Sequence, residues 1–391
     1  MDKNITVSKY DIPENLNHFT LPLPKDFKIF NEKIGDITIN YDSLFIIGIT
    51  KDYVLKRNFD ELKALREFIQ NALDENELLY GRPFVEIKKD LYGIWIIDKG
   101  RGIKIQDLLI GISNKECWMR GYYGEGLKIA AGYFLSLNKP VYIFTHDNVF
   151  RFIYYNEENP KLYVILGKSN KKFEGTNILI KDYYPSDEIL NKIVIFNNKE
   201  VYERKIDEVY IESEECKVPK PYTIYDYPNL FYVRNILVGE TSKVARRRSL
   251  FSYDVWWFRL DVSREFMSYS MPDLFKEISK IFELSEKARD KLVEKLIESG
   301  MLKVKKINDK ISIHFNPIFA IFEGHLFVYH FPKGLLNSIL KYLNIENKKD
   351  LIVRIGNEEE EKKALEKGFI PFLVSEELSE EFRIIPKFVE K

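Results

Sequence analysis

Apolar residues recur at helical spacing in the segment "NFDELKALREFIQNALDENELL", which predicts an amphipathic helix with Asn58 as its N-cap. Two short runs, "FVEIKK" and "YGIWII", then have the composition of β-strands, with a turn at residues 89–91 between them. A second helix is predicted at "EGLKIAAGYFLSL". In sequence order, the pattern of apolar positions thus predicts a helix, a pair of strands and a second helix.

Four further runs predict successive antiparallel strands: "VYIFTH", "VFRFIYY", "KLYVILG" and "TNILIK". Polar residues predict turns between them at residues 147–148, 156–159 and 168–172. Helices and antiparallel strands in this order favour an α+β layer sandwich over a parallel βαβ sheet. We expect this first domain to comprise residues 1–190.

The remainder of the chain predicts two smaller α/β regions. Residues 191–275 combine the aromatic strands "LFYVRNILV" and "LFSYDVWWFRLDV" with a basic cluster, "KVARRR". Residues 276–391 follow, and a helix over 272–300 begins near Pro272. Further strands are predicted in "KISIHFNPIFAIFEGHLFVYHF" and "FIPFLV", with a charged helix at "NEEEEKKALEKG". No motif in residues 276–391 indicates a role for that region.

Composition and charge narrow the classes of function. The chain has 391 residues, 45% of them hydrophobic, which is enough apolar material for two or three cores. Its 60 basic and 60 acidic side chains cancel, so contact with DNA or with an anionic membrane would require a local patch. The sequence starts without a signal-peptide pattern, and no run approaches the roughly 18 apolar residues of a membrane span. We therefore expect a cytoplasmic protein without a membrane partner.

Three polar side chains form one stripe on the first predicted helix. At about 100° per residue, Asn71 lies about 40° from Glu67, and Asp74 lies about 20° from it on the other side. Considered alone, such a stripe is more simply a solvated helix face than a site. The opposite, core-facing side comprises Leu62, Leu65, Ile69, Ala72 and Leu73.

Three glycine-containing motifs follow in order and make a site the better interpretation of the stripe. An aspartate ends an apolar strand, and two glycines after it allow close approach of backbone to a ligand. Three more glycines precede the second helix, where a glycine-rich turn can bind phosphate. The motifs are Asp98, Gly100 and Gly102 in "IIDKGRGI", Gly121, Gly124 and Gly126 in "GYYGEGLK", and Gly175 and Thr176 in "FEGTNILI".

Over roughly residues 55–181, these motifs resemble the four boxes of the GHKL ATPase superfamily. Its members include gyrase-type and topoisomerase VI subunits, MutL-type mismatch-repair ATPases, heat-shock chaperones and histidine kinases. In "GISNKECWMRGYYGEGLKIA", Ser113 and Lys115 resemble the serine and lysine often found in the lid before its glycines. The resemblance implies a Bergerat-type two-layer sandwich, with helices on a mixed, mostly antiparallel sheet and the nucleotide beneath a mobile lid.

The resemblance also implies a role for each polar residue. Glu67 would orient and deprotonate the attacking water, which is the role of a general base. Asn71 would hold Mg²⁺, which prefers oxygen ligands. Asp98 would accept the adenine amine with support from Thr176, and Asp74 would shape the pocket.

The glycine turn would bring backbone N–H groups onto the phosphates of ATP. Lys128 follows that turn, and it is either a further phosphate contact or a solvated lysine in the first turn of the helix. Lys115 is a candidate to contact the nucleotide from the lid. The cofactor-binding set implied by the resemblance is Asn71, Asp74, Asp98, Gly100, Gly102, Ser113, Lys115, Gly121, Gly124, Gly126, Leu127, Lys128 and Thr176.

The resemblance implies Mg-dependent ATP binding and hydrolysis that drives a conformational or dimerisation cycle. The partners implied are ATP and a second copy of the chain, with DNA as a further candidate and residues 191–275 as a candidate transducer. Residues 1–57 show no helical pair to carry a phosphorylatable histidine, so Glu67 favours hydrolysis over phosphoryl transfer to protein. The alternative is a nucleotide-regulated binding or scaffold protein with little turnover.

The basic run "SKVARRRS", residues 242–249, has three interpretations. It is a contact for nucleic-acid phosphates, a sensor of the ATP γ-phosphate, or an exposed basic loop. Arg259 and Arg264 are further candidates for the sensor. The pattern of residues does not decide among these interpretations.

Overall fold

The computed structural model describes residues 20–24, 30–109, 115–120, 124–155, 158, 160–258, 271–307, 310–345 and 352–374. The chain divides into two compact units, Met1–Ile189 and Leu190–Lys391. In both units β-sheets pack against α-helices. The regions that the sequence separates at residue 275 lie in one compact unit.

The first unit contains an antiparallel sheet of seven strands, in the order β1-β3-β7-β5-β4, with β2 paired to β3 and β6 paired to β7. A short 3-10 helix lies at Ile105–Leu108. The other elements are β1 Thr20–Pro22, β2 Asn31–Ile34, β3 Ile37–Thr50, α1 Lys51–Lys56, α2 Glu61–Tyr80, β4 Glu86–Asp90, β5 Gly93–Ile97, α3 Gly126–Ser136, β6 Val141–Tyr155 and β7 Lys161–Lys181.

Two of the predicted turns are wrong, because β6 and β7 each continue through them. In β6, His146 has a φ of 52° and the register with β7 shifts there, so the strand absorbs an irregularity without ending. In β7, the polar residues 168–172 remain in the strand because β3 and β6 pair with β7 on its two edges up to this segment. The predicted turn at residues 156–159 does fall between the two strands, although it lies mostly outside the described residues.

Helices α2 and α3 pack against each other in the first unit. The N-cap of α2 is Asp60, not Asn58, since the Asp60 carboxylate accepts the N–H of Lys63 at 2.7 Å. Asn58 has a left-handed φ of 48° just before that cap. Phe68 of α2 stacks on Phe134 of α3 with ring centroids 6.1 Å apart, and both rings are fully buried. These contacts join the two helices on which the predicted motifs lie.

The second unit contains a five-stranded sheet, β11-β10-β12-β9-β8, and a four-stranded sheet, β13-β14-β16-β15. Strand β10 is parallel to β12, and β16 is parallel to both β14 and β15. A short 3-10 helix lies at Ile195–Asn197. The other elements are α4 Asp187–Ile193, which spans the boundary between the units, α5 Lys199–Tyr202, β8 Lys205–Ile211, β9 Lys220–Tyr225, β10 Leu230–Val233, β11 Ile236–Glu240, α6 Thr241–Val244, β12 Ser252–Val255, α7 Met271–Leu284, α8 Glu286–Glu298, β13 Leu302–Ile307, β14 Lys310–Phe315, α9 Phe322–Tyr329, α10 Leu335–Tyr342, β15 Ile352–Ile355, α11 Glu358–Glu366 and β16 Ile370–Val374.

Two sequence-based expectations fail in the second unit. The single helix predicted over 272–300 is two helices, because Ser285 leaves the helical conformation and caps α8 by accepting the N–H of Ala288. The segment 322–329 is helix α9 and not a strand. Phe322, Leu326 and Phe327 are all buried, and such an apolar run has no periodicity that separates a helix from a strand. The charged helix α11 and strand β16 are confirmed.

Across the described residues, every helix is too short or too polar to cross a lipid bilayer.

Replacing Gly93 by Ala should destabilise the first unit more than the same change at Gly81. Both glycines have positive φ, 141° and 71°, which costs about 1–2 kcal/mol for Ala in the left-handed region. A Cβ at Gly93 would also lie 2.2 Å from the backbone oxygen of Ile180 in β7, whereas nothing lies within 4 Å at Gly81. We expect Gly93→Ala to lower the unfolding free energy by at least about 1 kcal/mol more than Gly81→Ala in urea titrations. Equal losses would contradict the tight contact between β5 and β7.

Candidate functional site

The polar stripe of α2 lies inside the first unit instead of facing solvent. Glu67 is 9% exposed and Asp74 is fully buried. Asn71 is partly buried, and its side-chain amide donates to the backbone oxygen of Glu67 at 2.9 Å. This burial excludes a simple solvated face for Glu67 and Asp74, so the three groups belong to an enclosed polar arrangement.

Asp74 connects α2 to the segment 115–120. Its Oδ2 accepts Lys115 Nζ at 2.6 Å, and its Oδ1 accepts the backbone N–H of Arg120 at 2.8 Å and Arg120 Nη1 at 3.1 Å. Arg120 also donates to Glu77 Oε2 at 2.8 Å. Burial opposes the charge of Asp74, but the ion pairs with Lys115 and Arg120 hold its pKa below the ordinary value.

Lys115 bridges two residues of the stripe. Its Nζ donates to Asn71 Oδ1 at 2.7 Å as well as to Asp74 Oδ2. Because the two oxygens are three residues apart on one helix, their side chains lie side by side. Ser113 and Gly121, which the sequence assigns to the same lid segment, lie outside the described residues.

The start of α3 lies directly against Glu67. A Cβ at Gly126 would lie 1.8 Å from Glu67 Oε2, so only glycine fits there without displacing the carboxylate. Gly124 has a left-handed φ of 66°, and Glu125 at the N-cap makes no side-chain capping bond. The first turn of α3, including Leu127, therefore begins beside a buried carboxylate without a side-chain cap.

Lys128 is buried and is therefore not a solvated lysine. The residue is 2% exposed, and its ammonium donates to the backbone oxygens of Asp107, at 2.8 Å, and Leu109, at 3.0 Å, and to that of Gly124. Burial lowers its pKa to about 8. A lysine has three N–H donors, so Lys128 holds together the two ends of the segment 109–124.

Asp98 forms a second buried carboxylate at the end of β5. Its Oδ1 accepts the backbone N–H of Gly100 at 2.8 Å and that of Thr176 at 3.0 Å. Burial raises the pKa of Asp98 to about 6. A Cβ at Gly175 would lie 2.2 Å from the Asp98 backbone oxygen, so the glycine before Thr176 permits this close approach.

The two glycines after Asp98 also pack closely. A Cβ at Gly100 would lie 2.6 Å from Glu75 Cβ, which places this turn against α2. At Gly102 a Cβ would lie 2.3 Å from Thr145 Oγ1, a fully buried hydroxyl of β6. The close approaches of these glycines are therefore to protein groups.

Helix α2 thus contacts two of the three glycine motifs, the turn after Asp98 and the turn before α3. Glu67 meets the start of α3, and Glu75, eight residues later, meets the turn after Asp98. At 1.5 Å per residue, these two contacts lie about 12 Å apart along the helix axis. Of the four predicted motifs, the first lies on α2, and the Asp98 turn and the turn before α3 both contact α2. The fourth motif contains Thr176, which is bonded to Asp98.

Sequence reasoning missed Arg120 and Thr145. Arg120 stands directly before the glycines in "WMRGYYGEG", and its two carboxylate partners are more than 40 residues earlier in the chain. Thr145 lies within an apolar strand run that carries no motif. The position of Arg120 beside a glycine turn was a signal in the sequence, whereas Thr145 offered none.

No protein-family model matches this chain, and no curated protein sequence matches it either.

The basic run of the second unit forms a fixed turn. Arg246 has a left-handed φ of 54° and is exposed, as are Lys243 and Arg248. Arg247 donates from Nε to the backbone oxygen of Phe319 at 2.8 Å. Arg259 and Arg264 lie outside the described residues. The turn therefore presents two exposed cations, Arg246 and Arg248, and Lys243 of α6 lies 3.9 Å from Glu240 just before it.

A buried glutamate of α9 anchors this turn. Both oxygens of Glu323 lie within 3.1 Å of the backbone N–H of Leu250, and Tyr253 donates its hydroxyl to Oε1 at 2.6 Å. The backbone oxygen of Arg248 accepts the N–H of Phe322 at 2.7 Å. Burial raises the pKa of Glu323 to about 7. These bonds fix the backbone that follows the arginines.

The tryptophan and histidine pairs of the second unit have structural contacts. Trp256 is buried, with Lys220 Nζ 4.6 Å from its ring centroid, and Trp257 donates from Nε1 to a backbone oxygen at 2.6 Å. His330 pairs with Glu283 at 2.8 Å, and His325 packs on Phe275.

We expect Asp98→Asn to change the pH dependence of stability. Asp98 has a folded pKa of about 6, above its value of about 3.9 in an unfolded chain, so the native state binds the extra proton between these values. The stability that this group contributes is therefore present at pH 4 and is lost as the pH rises through 6. Both backbone donors bond to Oδ1, and an asparagine oxygen can retain them.

The unfolding free energy of Asp98→Asn minus that of wild type should increase by about 1–3 kcal/mol between pH 4.5 and pH 7. Chemical denaturation at both pH values measures this difference. An equal difference at the two values would show that Asp98 does not titrate in this range.

Proposed function

We propose that the chain is a Mg-dependent ATPase of the GHKL type, in which ATP binding and hydrolysis drive a conformational or dimerisation cycle. The observation that carries the proposal is the buried carboxylate of Glu67 against Gly126 at the start of α3. A helix N-terminus attracts anions, and a carboxylate beside it can act on a water next to a bound phosphate. The Asp98 turn on the same helix α2 would bind the other end of the nucleotide.

In this proposal the adenine lies at Asp98 and the phosphates lie at the turn from Gly124 to Leu127. The contacts of α2 with these motifs are about 12 Å apart along the helix, a separation that suits an extended nucleoside triphosphate. Thr176 supports Asp98 by donating its backbone N–H to Asp98 Oδ1. Helices α2 and α3 on the antiparallel sheet would form the two-layer sandwich expected for this class.

Asn71 and Asp74 fit a cation, because their oxygens already bind the ammonium of Lys115. Magnesium would neutralise phosphate charge there, with Asn71 as its ligand and with water and phosphate oxygens completing its shell. Among the described residues, no group of three or more His, Cys, Asp or Glu side chains is arranged to hold a metal.

The alternative is a nucleotide-regulated binding protein with little turnover. It would use the same adenine and phosphate contacts but would not need a carboxylate at the start of α3. Glu67 is buried at that position with a glycine in contact, which favours hydrolysis. The rate of ATP turnover by wild type separates the two.

Glu67→Gln should lower ATP turnover by about 10²-fold or more, because the amide cannot accept a proton from the attacking water. Nucleotide affinity should stay within a few fold, and sizing with a non-hydrolysable analogue should still show the dimer that wild type forms. Steady-state hydrolysis and calorimetry measure the two effects.

Glu86→Gln, at an exposed position of β4, is the control and should behave as wild type. Unchanged turnover in Glu67→Gln would remove Glu67 from the reaction. A wild type that binds ATP and analogue without turnover or a change in oligomeric state would establish the regulated-binding alternative.

We further propose that the cycle acts on DNA through the basic turn of the second unit. Lys243, Arg246 and Arg248 are exposed, and Glu323 and Phe322 anchor the backbone at residues 248–250. Exposed cations on such a turn suit contact with the phosphate backbone of DNA.

The double variant Arg246→Glu/Arg248→Glu should weaken binding to a DNA duplex about 10-fold or more at low salt. The slope of log affinity against log salt should fall by about 2, since each phosphate contact contributes about 0.9. Fluorescence anisotropy over a salt series measures both quantities. The matched control is Lys303→Glu/Lys306→Glu on the exposed part of β13. Equal losses in the two double variants would mean that the basic turn has no special role.

A further inference from the structure

The cation site on α2 already holds a cation that the chain supplies. Lys115 Nζ lies 2.7 Å from Asn71 Oδ1 and 2.6 Å from Asp74 Oδ2. Asn71 is also the residue proposed to bind the nucleotide's magnesium. One oxygen therefore serves two cations that cannot occupy the same space.

We propose that Lys115 is an internal competitor of the divalent cation, and that binding of Mg-nucleotide displaces it from Asn71 and Asp74. This inference rests on the proposed function and concerns the regulation of the same site. Exchange of the cation would release the Lys115 ammonium from α2. The metal, and not the nucleotide alone, would therefore control whether Lys115 stays bonded to Asn71 and Asp74.

The burial of Asp74 explains why a cation must replace Lys115. The Asp74 side chain has no exposed surface. Removing a counter-charge from a buried carboxylate strongly destabilises the folded protein. Arg120 would remain as one partner, but Lys115 could leave at little cost only if another positive charge took its place. A divalent cation at Asn71, next to Asp74 on the helix, supplies that charge.

The two basic partners of Asp74 differ in their access to solvent. The Lys115 side chain is 20% exposed, whereas that of Arg120 is 1% exposed and also pairs with Glu77. Lys115 is therefore the exchangeable partner and Arg120 the fixed one. When Lys115 leaves, Arg120 would keep the segment 115–120 anchored to α2.

The competition predicts that removing the ammonium strengthens metal binding in the absence of nucleotide. We would titrate Mn²⁺ into wild type, Lys115→Met and Lys88→Met and measure free Mn²⁺ by electron paramagnetic resonance. Methionine retains most of the length of lysine without its charge, and Lys88 is an exposed lysine of β4 in the same unit. We expect Lys115→Met to bind Mn²⁺ about 10-fold or more tightly than wild type, and Lys88→Met to match wild type.

A second measurement uses the wild type and requires no variant to fold. Mass spectrometry of brief amine acetylation should show faster labelling of Lys115 when Mn²⁺ is added, with labelling of Lys88 unchanged. Equal Mn²⁺ affinity in Lys115→Met and wild type, or labelling of Lys115 that does not respond to Mn²⁺, would overturn the inference.

The two measurements on Lys115 can fail or succeed separately from a test of the proposed function. If wild type fails to bind ATP in calorimetry with Mg²⁺ present, the proposed ATPase fails. The Mn²⁺ titration would still decide whether Lys115 and a divalent cation compete for Asn71 and Asp74.

Discussion

The carboxylate of Asp74 has no contact with solvent, and two basic side chains of the segment 115–120 pair with it. Lys115 and Arg120 both pair with it, and Arg120 extends the network to Glu77 one turn along α2. A buried carboxylate is tolerated only when paired and hydrogen-bonded. The helix that carries the predicted site is therefore joined to the segment 115–120 through buried ion pairs.

Near these ion pairs, two more charged groups bond to the backbone of the chain itself. Lys128 donates to backbone oxygens, and the Asp98 carboxylate accepts backbone N–H groups from Gly100 and from Thr176 of β7. Both backbone donors share one oxygen of Asp98. The proposed site is thus built from groups that are already satisfied in part, which keeps its geometry fixed before a ligand arrives.

Local pattern predicted the main elements of the first unit, and long-range contacts account for what it missed. The spacing of apolar residues predicted α2, α3, β4 and β5, and the wheel geometry placed Glu67, Asn71 and Asp74 on one side. The turns predicted inside β6 and β7 failed because pairing with neighbouring strands kept polar residues in the ladder. In α9, the apolar run has no periodicity that identifies a helix.

The candidate site shows the same division between local and distant information. Asp98 and the glycines were predictable because they stand at the ends of elements, and Glu67 and Asp74 were predictable because they share one side of a predicted helix. Arg120 and the true environment of Lys128 were not, since their partners lie in other parts of the chain. A sequence indicates which groups are chemically capable, but the fold decides which of them are already committed to one another.

Strand β7 has a further consequence for how this chain can change over evolution. It pairs on both edges, with β3 and β6 near its start and with β5 and β6 near its end, where Thr176 bonds to Asp98. A strand alternates its side chains between two faces, so adding one residue in the polar segment 168–172 would reverse the faces of everything after it. Loops usually accept insertions, and this hydrophilic segment resembles a loop in composition. Because it is a strand, lineages of this protein should vary in its side chains but keep its length.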